Sequence, residues 1–223
     1  MRLSKKKLFV VAIAVCLVAT LSFGTLAWFT DTDRVDNQFN VTTSNETGDP
    51  DFSIVLFETE VDPETNGFGD GPDNNTTTDE VKENTYNHIA PGATLPKDPT
   101  VRNTGSYDQW VRVKVTFTDV ALWKSVMGDN YNFTAMLQNV SADWTLDATT
   151  VSDTNADTIT YTYYYNNKLV ANAEATLFTG VKIPGDFKVE NMFDTFEIDL
   201  VAEATQADNT GDTAPEAFTL WNN

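Results

Sequence analysis

The sequence predicts an all-β protein, an antiparallel β-sandwich with one or two short helices. Three observations predict this fold. Past residue 30 the chain has almost no helical periodicity. The same region is rich in Thr, Val, Asn, Asp, Tyr and Phe, which favour strands and turns. Many short strand-like segments also follow one another without the strand–helix rhythm of a parallel sheet.

The clearest strand pattern spans residues 110–118, WVRVKVTFT. Its side chains alternate strictly, with one face formed by Val111, Val113, Val115 and Phe117 and the other by Trp110, Arg112, Lys114 and Thr116. Period two predicts a half-buried antiparallel strand. We expect Arg112 and Lys114 to pair with acidic residues on a neighbouring strand, although they could instead receive an acidic partner.

Weaker patterns predict the remaining elements. Residues 52–60 form a strand with Ile54, Leu56 and Glu58 on one side, and residues 143–146, 158–165 and 195–204 form three more. Asn166 and Asn167 predict a hairpin turn that leads into a strand at residues 168–170. Residues 120–126 and 132–139 are the two segments that fit short helices.

The N-terminus has the pattern of an export signal. Four basic residues lie within the first seven positions, and an apolar run covers residues 8–23. Small residues, Thr25 and Ala27, precede a cut between Ala27 and Trp28, as in a secretory signal peptide. We therefore expect a secreted protein, located in the extracellular matrix or at the cell surface. An uncleaved anchor stays open, because residues 8–29 are long enough to span a bilayer.

Composition excludes several classes of function. The net charge is −19, and four of the 14 basic residues but none of the 33 acidic ones lie before residue 28, so the exported part carries −23. Such a charge repels nucleic acid and attracts divalent cations. The single cysteine, Cys16, lies in the apolar run. The exported chain therefore has neither a disulfide framework nor a cysteine nucleophile.

These observations divide the chain into four parts. Residues 1–27 are the signal peptide, and residues 28–43 are an N-terminal edge strand segment. Residues 44–206 form the sandwich, with an acidic loop at residues 62–80 that is rich in Gly, Asp, Asn and Pro. Residues 207–223 are a polar C-terminal tail.

The acidic loop carries the best candidate for a metal site. Its residues echo positions 1, 3, 5, 7, 9 and 12 of an EF-hand calcium loop, with Gly67 at position 6: Asp62, Glu64, Asn66, Phe68, Asp70 and Asp73. Position 12 is Asp instead of Glu, and two prolines interrupt the pattern. A solvated acidic loop is therefore the alternative, and calcium is the one cofactor we consider.

Catalysis has little support in the sequence. The chain has one histidine, His88, so an H-E-x-x-H zinc motif is impossible and a Ser-His-Asp set is unconvincing. We expect no enzymatic activity.

Several segments, in this order, resemble the TasA/camelysin family of Gram-positive bacteria. The resemblance rests on the lysines at 5–7 with TLAWFTDTD, then VDNQFNV, IAPGATLPKDPTVRNTGSYDQWVRVKV, LFTGVKIPG and FEIDLVAEATQAD. It covers nearly the whole chain but departs at residues 44–80, where family members lack a long acidic loop.

The resemblance implies that the sandwich is jelly-roll-like. It also implies a secreted structural protein that forms fibres of the biofilm matrix after a SipW-type signal peptidase removes the signal. In such fibres the N-terminal segment of one subunit adds a strand to the next subunit. The donor side chains in this chain would be Phe29, Val35, Phe39 and Val41. Pairing of this segment within its own subunit is the alternative.

The partners implied are other copies of the chain, the signal peptidase and other matrix components. Nucleic acid is not expected, and the membrane is expected only before cleavage. The alternative functions are a monomeric calcium-binding cell-surface protein and a camelysin-like protease.

Overall fold

The structure is a computed structural model that describes residues 30–35, 52–63, 65–68, 79–87, 89–186, 196–208 and 210–221. For residues 30–35 and 220–221 it describes the backbone alone. Strands make up about 44% of the described residues, and the strand pairs among those residues are antiparallel. The predicted all-β sandwich class is confirmed.

The largest sheet has five strands in the described part of the chain. Their order is β1 (Thr30–Val35), β14 (Ile198–Gln206), β8 (Gln109–Phe117), β11 (Thr158–Tyr165) and β10 (Trp144–Asp153). A second sheet has the order β12 (Glu174–Thr176), β7 (Thr100–Asn103), β2 (Ile54–Thr59) and β5 (Glu80–Val81). A third has the order β6 (Thr94–Pro96), β13 (Gly180–Lys182) and β9 (Leu137–Gln138), and β3 (Val61–Asp62) pairs with β4 (Gly67–Phe68).

One hydrophobic core joins the three larger sheets. The apolar face of β8 is fully buried, as the alternation predicts. The core combines residues from the first sheet with others from the second and third, among them Val113, Leu200, Leu56, Val101, Leu95 and Val181. Because these strands are far apart in the sequence, the sandwich depends on long-range packing of apolar side chains.

The opposite face of β8 is also covered, by helix α2 (Ala214–Trp221), where we expected a polar tail. Trp110 lies beneath this helix in a second hydrophobic cluster. Glu216 accepts a hydrogen bond from the backbone N–H of Asp212 (3.0 Å), and Pro215 lies in the first turn, where no N–H is required. The segment therefore carries its own helix start signals.

The predicted helix at residues 120–126 is confirmed as helix α1, Val120–Met127. The predicted helix at residues 132–139 is only partly right, because a 3₁₀-helix spans Phe133–Met136 and Leu137–Gln138 form strand β9. Asp157 accepts from the first two N–H groups of α1, through its backbone oxygen from Val120 (3.2 Å) and through Oδ1 from Ala121 (2.9 Å). These bonds satisfy donors that a helix leaves unpaired at its start.

The predicted hairpin at residues 166–167 is wrong. Strand β11 pairs with β8 on one side and β10 on the other, so neither edge is free for residues 168–170. Leu169 instead forms a bridge with Gln109. Strand β10 is also longer than expected, and its pairing with β11 shifts register between Leu146 and Thr150.

Candidate functional site

Strand β1 forms one edge of the five-stranded sheet by pairing with β14. The pairing is antiparallel and runs without a break from Thr30 opposite Thr205 to Val35 opposite Leu200. Strand β14 also pairs with β8 along its whole length. The N-terminal strand therefore closes the open side of β14 within the same chain.

The β14 side of this edge is mostly buried. Leu200, Ala202 and Ala204 have no exposed surface, and they alternate along one face of the strand. Strand β2 of the second sheet lies near both β1 and β14. The second sheet therefore packs against this edge of the first.

The structure describes only part of the predicted N-terminal donor segment. Val35 is the last residue of β1, opposite Leu200. Phe29, Phe39 and Val41 lie outside the described residues, as do Ala27 and Trp28 at the predicted cut. Of the two arrangements considered, the one that the structure describes is pairing within the chain. The exchange of this segment between subunits stays a prediction.

Arg112 and Lys114 form an ion-pair network with Glu203 on β14. Arg112 Nε donates to one carboxylate oxygen, and Lys114 Nζ lies 2.7 Å from the other. The Arg112 and Glu203 side chains are only 8% and 10% exposed, because α2 covers them. The expected pairing with a neighbouring strand is therefore confirmed.

The acidic loop is described only at its start. Asp62 and Phe68 lie on the β3–β4 hairpin, and Asn66 forms its turn with a left-handed backbone, at φ 54°. Glu64, Asp70 and Asp73 lie outside the described residues. Within the described ranges, no group of three or more His, Cys, Asp or Glu side chains is arranged to hold a metal ion. The calcium site stays a prediction.

Asn66 has a structural role that its place in the calcium pattern did not suggest. Its Oδ1 accepts from the backbone N–H of Asn87 (2.9 Å), and its Nδ2 donates to the backbone oxygen of Asn87. The paired bonds fix the hairpin to the segment that precedes β6. His88, which follows Asn87, lies outside the described residues.

A buried polar cluster around Glu58 was not expected from the sequence. Glu58 lies on β2 and has no exposed surface. Its Oε1 is 2.5 Å from Lys97 Nζ, and its Oε2 accepts from Asn84 Nδ2 at 3.1 Å. One carboxylate therefore holds an amine and a carboxamide side by side.

The Asn84 carboxamide is fixed at both ends. Its Oδ1 accepts from the backbone N–H of Val61 (2.8 Å), and its Nδ2 also donates to the backbone oxygen of Thr59 (2.9 Å). These bonds attach the segment around Asn84 to the end of β2 and the start of β3.

Tyr86 and Asp98 border the same cluster. The Tyr86 hydroxyl donates to the backbone oxygen of Pro96 (2.5 Å), and both carboxylate oxygens of Asp98 accept from Thr59. Burial raises the pKa of Tyr86 well above its ordinary value, and the nearby charges of Glu58 and Asp98 add to this increase. The tyrosine hydroxyl therefore stays protonated and acts as a donor.

The sequence offered only one hint of this cluster, the place of Glu58 on the apolar side of residues 52–60. Asn84 and Lys97 lie in segments without strand alternation, so no periodic pattern relates them to Glu58. A carboxylate at a core-facing strand position implies a buried polar partner, and this is the sequence signal that predicts such a cluster.

Within the described part of the chain, α1 and α2 have eight residues each, and no helix there has the length and apolar character of a membrane span. Comparison of the chain with protein-family models, with curated proteins and with solved structures finds no match.

Proposed function

We propose that this chain is a secreted structural protein of the extracellular matrix, and that it assembles into fibres when β1 of one copy pairs with β14 of the next. The observation that carries the proposal is the place of β1: it is the first described strand, and it forms a sheet edge. The signal-like N-terminus and the resemblance to the TasA/camelysin family also support it.

Exchange of β1 would conserve the bonds that β14 makes. A strand from a second copy can form the same antiparallel pairs with residues 200–205. The hydrogen-bond energy is then similar within a chain and between chains, as in domain swapping. Residues 36–53 connect β1 to β2, and at roughly 3.4 Å per extended residue they are long enough to reach a neighbour.

The balance between the two arrangements depends on concentration. Because β1 is tethered to the rest of its chain, the effective concentration of β1 at its own β14 is on the order of millimolar. Pairing between chains therefore needs a high local concentration or further contacts between subunits. Release from the cell surface into a confined matrix provides the first condition.

Cysteine trapping distinguishes the two arrangements, because the chain from Trp28 onward has no cysteine. Arg34 and Val201 are paired across β1 and β14. Directly paired Cα atoms are about 4.5–5.5 Å apart, within the range of a disulfide. We expect a mixture of Arg34→Cys and Val201→Cys chains to form a disulfide-linked dimer after assembly and mild oxidation.

The matched control is a mixture of Thr116→Cys and Thr160→Cys chains. These residues pair between β8 and β11 inside the sheet, so they should not join two chains. Electron microscopy of the same samples should show fibres, and deletion of residues 28–41 should abolish them. Fibres that persist after the deletion, or equal trapping in both mixtures, would contradict the mechanism.

A further inference from the structure

We propose that Lys97 and Asn84 react to form an amide bond between their side chains, with Glu58 carrying the protons. The observation behind this proposal is the bridging position of the Glu58 carboxylate. One oxygen contacts the amine of Lys97, and the other contacts the carboxamide nitrogen of Asn84. A nucleophile, an acyl group and a proton carrier thus meet in one buried place.

The reaction balances without a further reagent. Lys97 first transfers a proton to Glu58, and the neutral Nζ attacks Cγ of Asn84, so the C=O electron pair moves to Oδ1. The electron pair on Oδ1 then re-forms the C=O bond, while the bond between Cγ and Nδ2 breaks with its electron pair on nitrogen. Glu58 supplies one proton to this nitrogen and takes one from Nζ. Ammonia leaves and takes up the remaining proton, so the products are the amide, ammonium and the Glu58 carboxylate.

The surroundings suit each of these steps. The backbone N–H of Val61 already donates to Asn84 Oδ1, where negative charge develops during the attack. Glu58 has no exposed surface and the Lys97 side chain is 12% exposed, so water is largely excluded. Hydrogen bonds also hold the Asn84 carboxamide in place before the reaction, which reduces the conformational entropy that is lost when the amine attacks.

An amide of this kind would supply a covalent link that the exported chain otherwise lacks. The single cysteine of the full sequence, Cys16, precedes the predicted cut, so the exported chain cannot form a disulfide within itself. The link would close the loop from residue 84 to residue 97 beside β2. Unlike a disulfide, it would be insensitive to reduction.

Mass spectrometry after trypsin digestion tests the proposal directly. Lys82, Lys97 and Arg102 are the cleavage points of this region. An amidated Lys97 resists trypsin, so the expected product is one peptide of residues 83–102, lighter than its sequence by one ammonia. Unreacted protein would instead give separate peptides of residues 83–97 and 98–102 at their full masses. That result for the folded wild-type protein would overturn the proposal.

Three variants separate this reaction from simple deamidation. Lys97→Arg should restore the full mass, whereas loss of ammonia through a cyclic imide at Asn84 would not depend on residue 97. Asn84→Asp should lose one water instead of ammonia. Glu58→Gln should leave Lys97 and Asn84 unlinked.

The matched control is Lys114→Arg, which alters a lysine that pairs with a different glutamate, Glu203. It should retain the ammonia loss. If the Lys97→Arg protein is still lighter by one ammonia, the proposed bond is refuted, even if other variants fail to fold.

Discussion

The guanidinium carbon of Arg112 lies 4.2 Å from the centre of the Phe218 ring, which joins strand β8 to helix α2. Arg112 Nε meanwhile donates to Glu203 on β14. The arginine is therefore held between a carboxylate in the sheet and an aromatic ring on the helix. This arrangement explains how a charged side chain is buried on the second face of the sheet.

Replacement of Phe218 should release helix α2. We expect Phe218→Ala to lower the free energy of unfolding by about 3–5 kcal/mol, because a fully buried ring is lost and Arg112 is uncovered. Urea unfolding followed by circular dichroism measures the change. Phe68→Ala is the matched control, since Phe68 is 46% exposed and its loss should have little effect. Equal effects of the two substitutions would contradict a packing role for the helix.

Removal of the Glu203 charge should destabilise the same region. Glu203→Gln leaves two cations, Arg112 and Lys114, without the carboxylate that they share. We expect a loss of about 3 kcal/mol in thermal or urea unfolding, as for other broken buried pairs. Glu80→Gln is the control, because its pair with Arg102 is exposed to solvent. A Glu80 variant as unstable as the Glu203 variant would show that burial is not the cause.

Stability should fall at alkaline pH in part through Tyr163. Burial, with a smaller effect from the neighbouring Tyr161, raises the pKa of Tyr163 from 10.0 to about 12. The folded state binds this proton more tightly than the unfolded state does. The stabilisation is therefore complete below pH 10 and is lost as the pH rises through about 12.

Tyr163→Phe tests this dependence. The variant should unfold like the wild type at neutral pH, and its stability should decline less between pH 10 and pH 12. Urea midpoints measured across this range provide the comparison. An unchanged slope would mean that other tyrosines or the lysines cause the alkaline loss.

The turn at Asn66 should depend on both its backbone and its side chain. Asn66→Ala removes two hydrogen bonds to Asn87 and leaves at φ 54° a residue that tolerates the left-handed backbone less well than asparagine does, so we expect a loss of about 1–2 kcal/mol. Asn66→Gly removes the same bonds but accepts the left-handed backbone, and it should lose less. Thermal unfolding of both variants separates the two contributions. A glycine variant less stable than the alanine variant would argue against this account.

Local patterns predicted the parts of the fold that follow a simple period. The alternation at residues 110–118 identified β8 because one of its faces carries apolar side chains alone. The same pattern could not reveal that α2 covers the other face, since the helix is short and follows a polar stretch at residues 208–213. Strand β10 was predicted too short, because residues 147–153 are largely exposed and show no alternation.

The polar contacts were predictable only where neighbouring strands supply both partners. Arg112 and Lys114 were expected to meet an acidic residue across the sheet, and Glu203 on β14 provides it. The Glu58 cluster combines residues 58, 84 and 97, which come together only after the sheets have packed. The spacing of these residues in the sequence therefore does not predict that they come into contact.

The antiparallel pairing of β1 with β14 also determines what an assembly built by strand exchange would look like. Donor and acceptor are different surfaces of the same chain, so a row of copies does not close on itself as a symmetric dimer would. One end would present an unfilled β14 and the other an unused β1. Such a filament would be polar, with two chemically distinct tips, and a short peptide of the β1 sequence would cap only one of them.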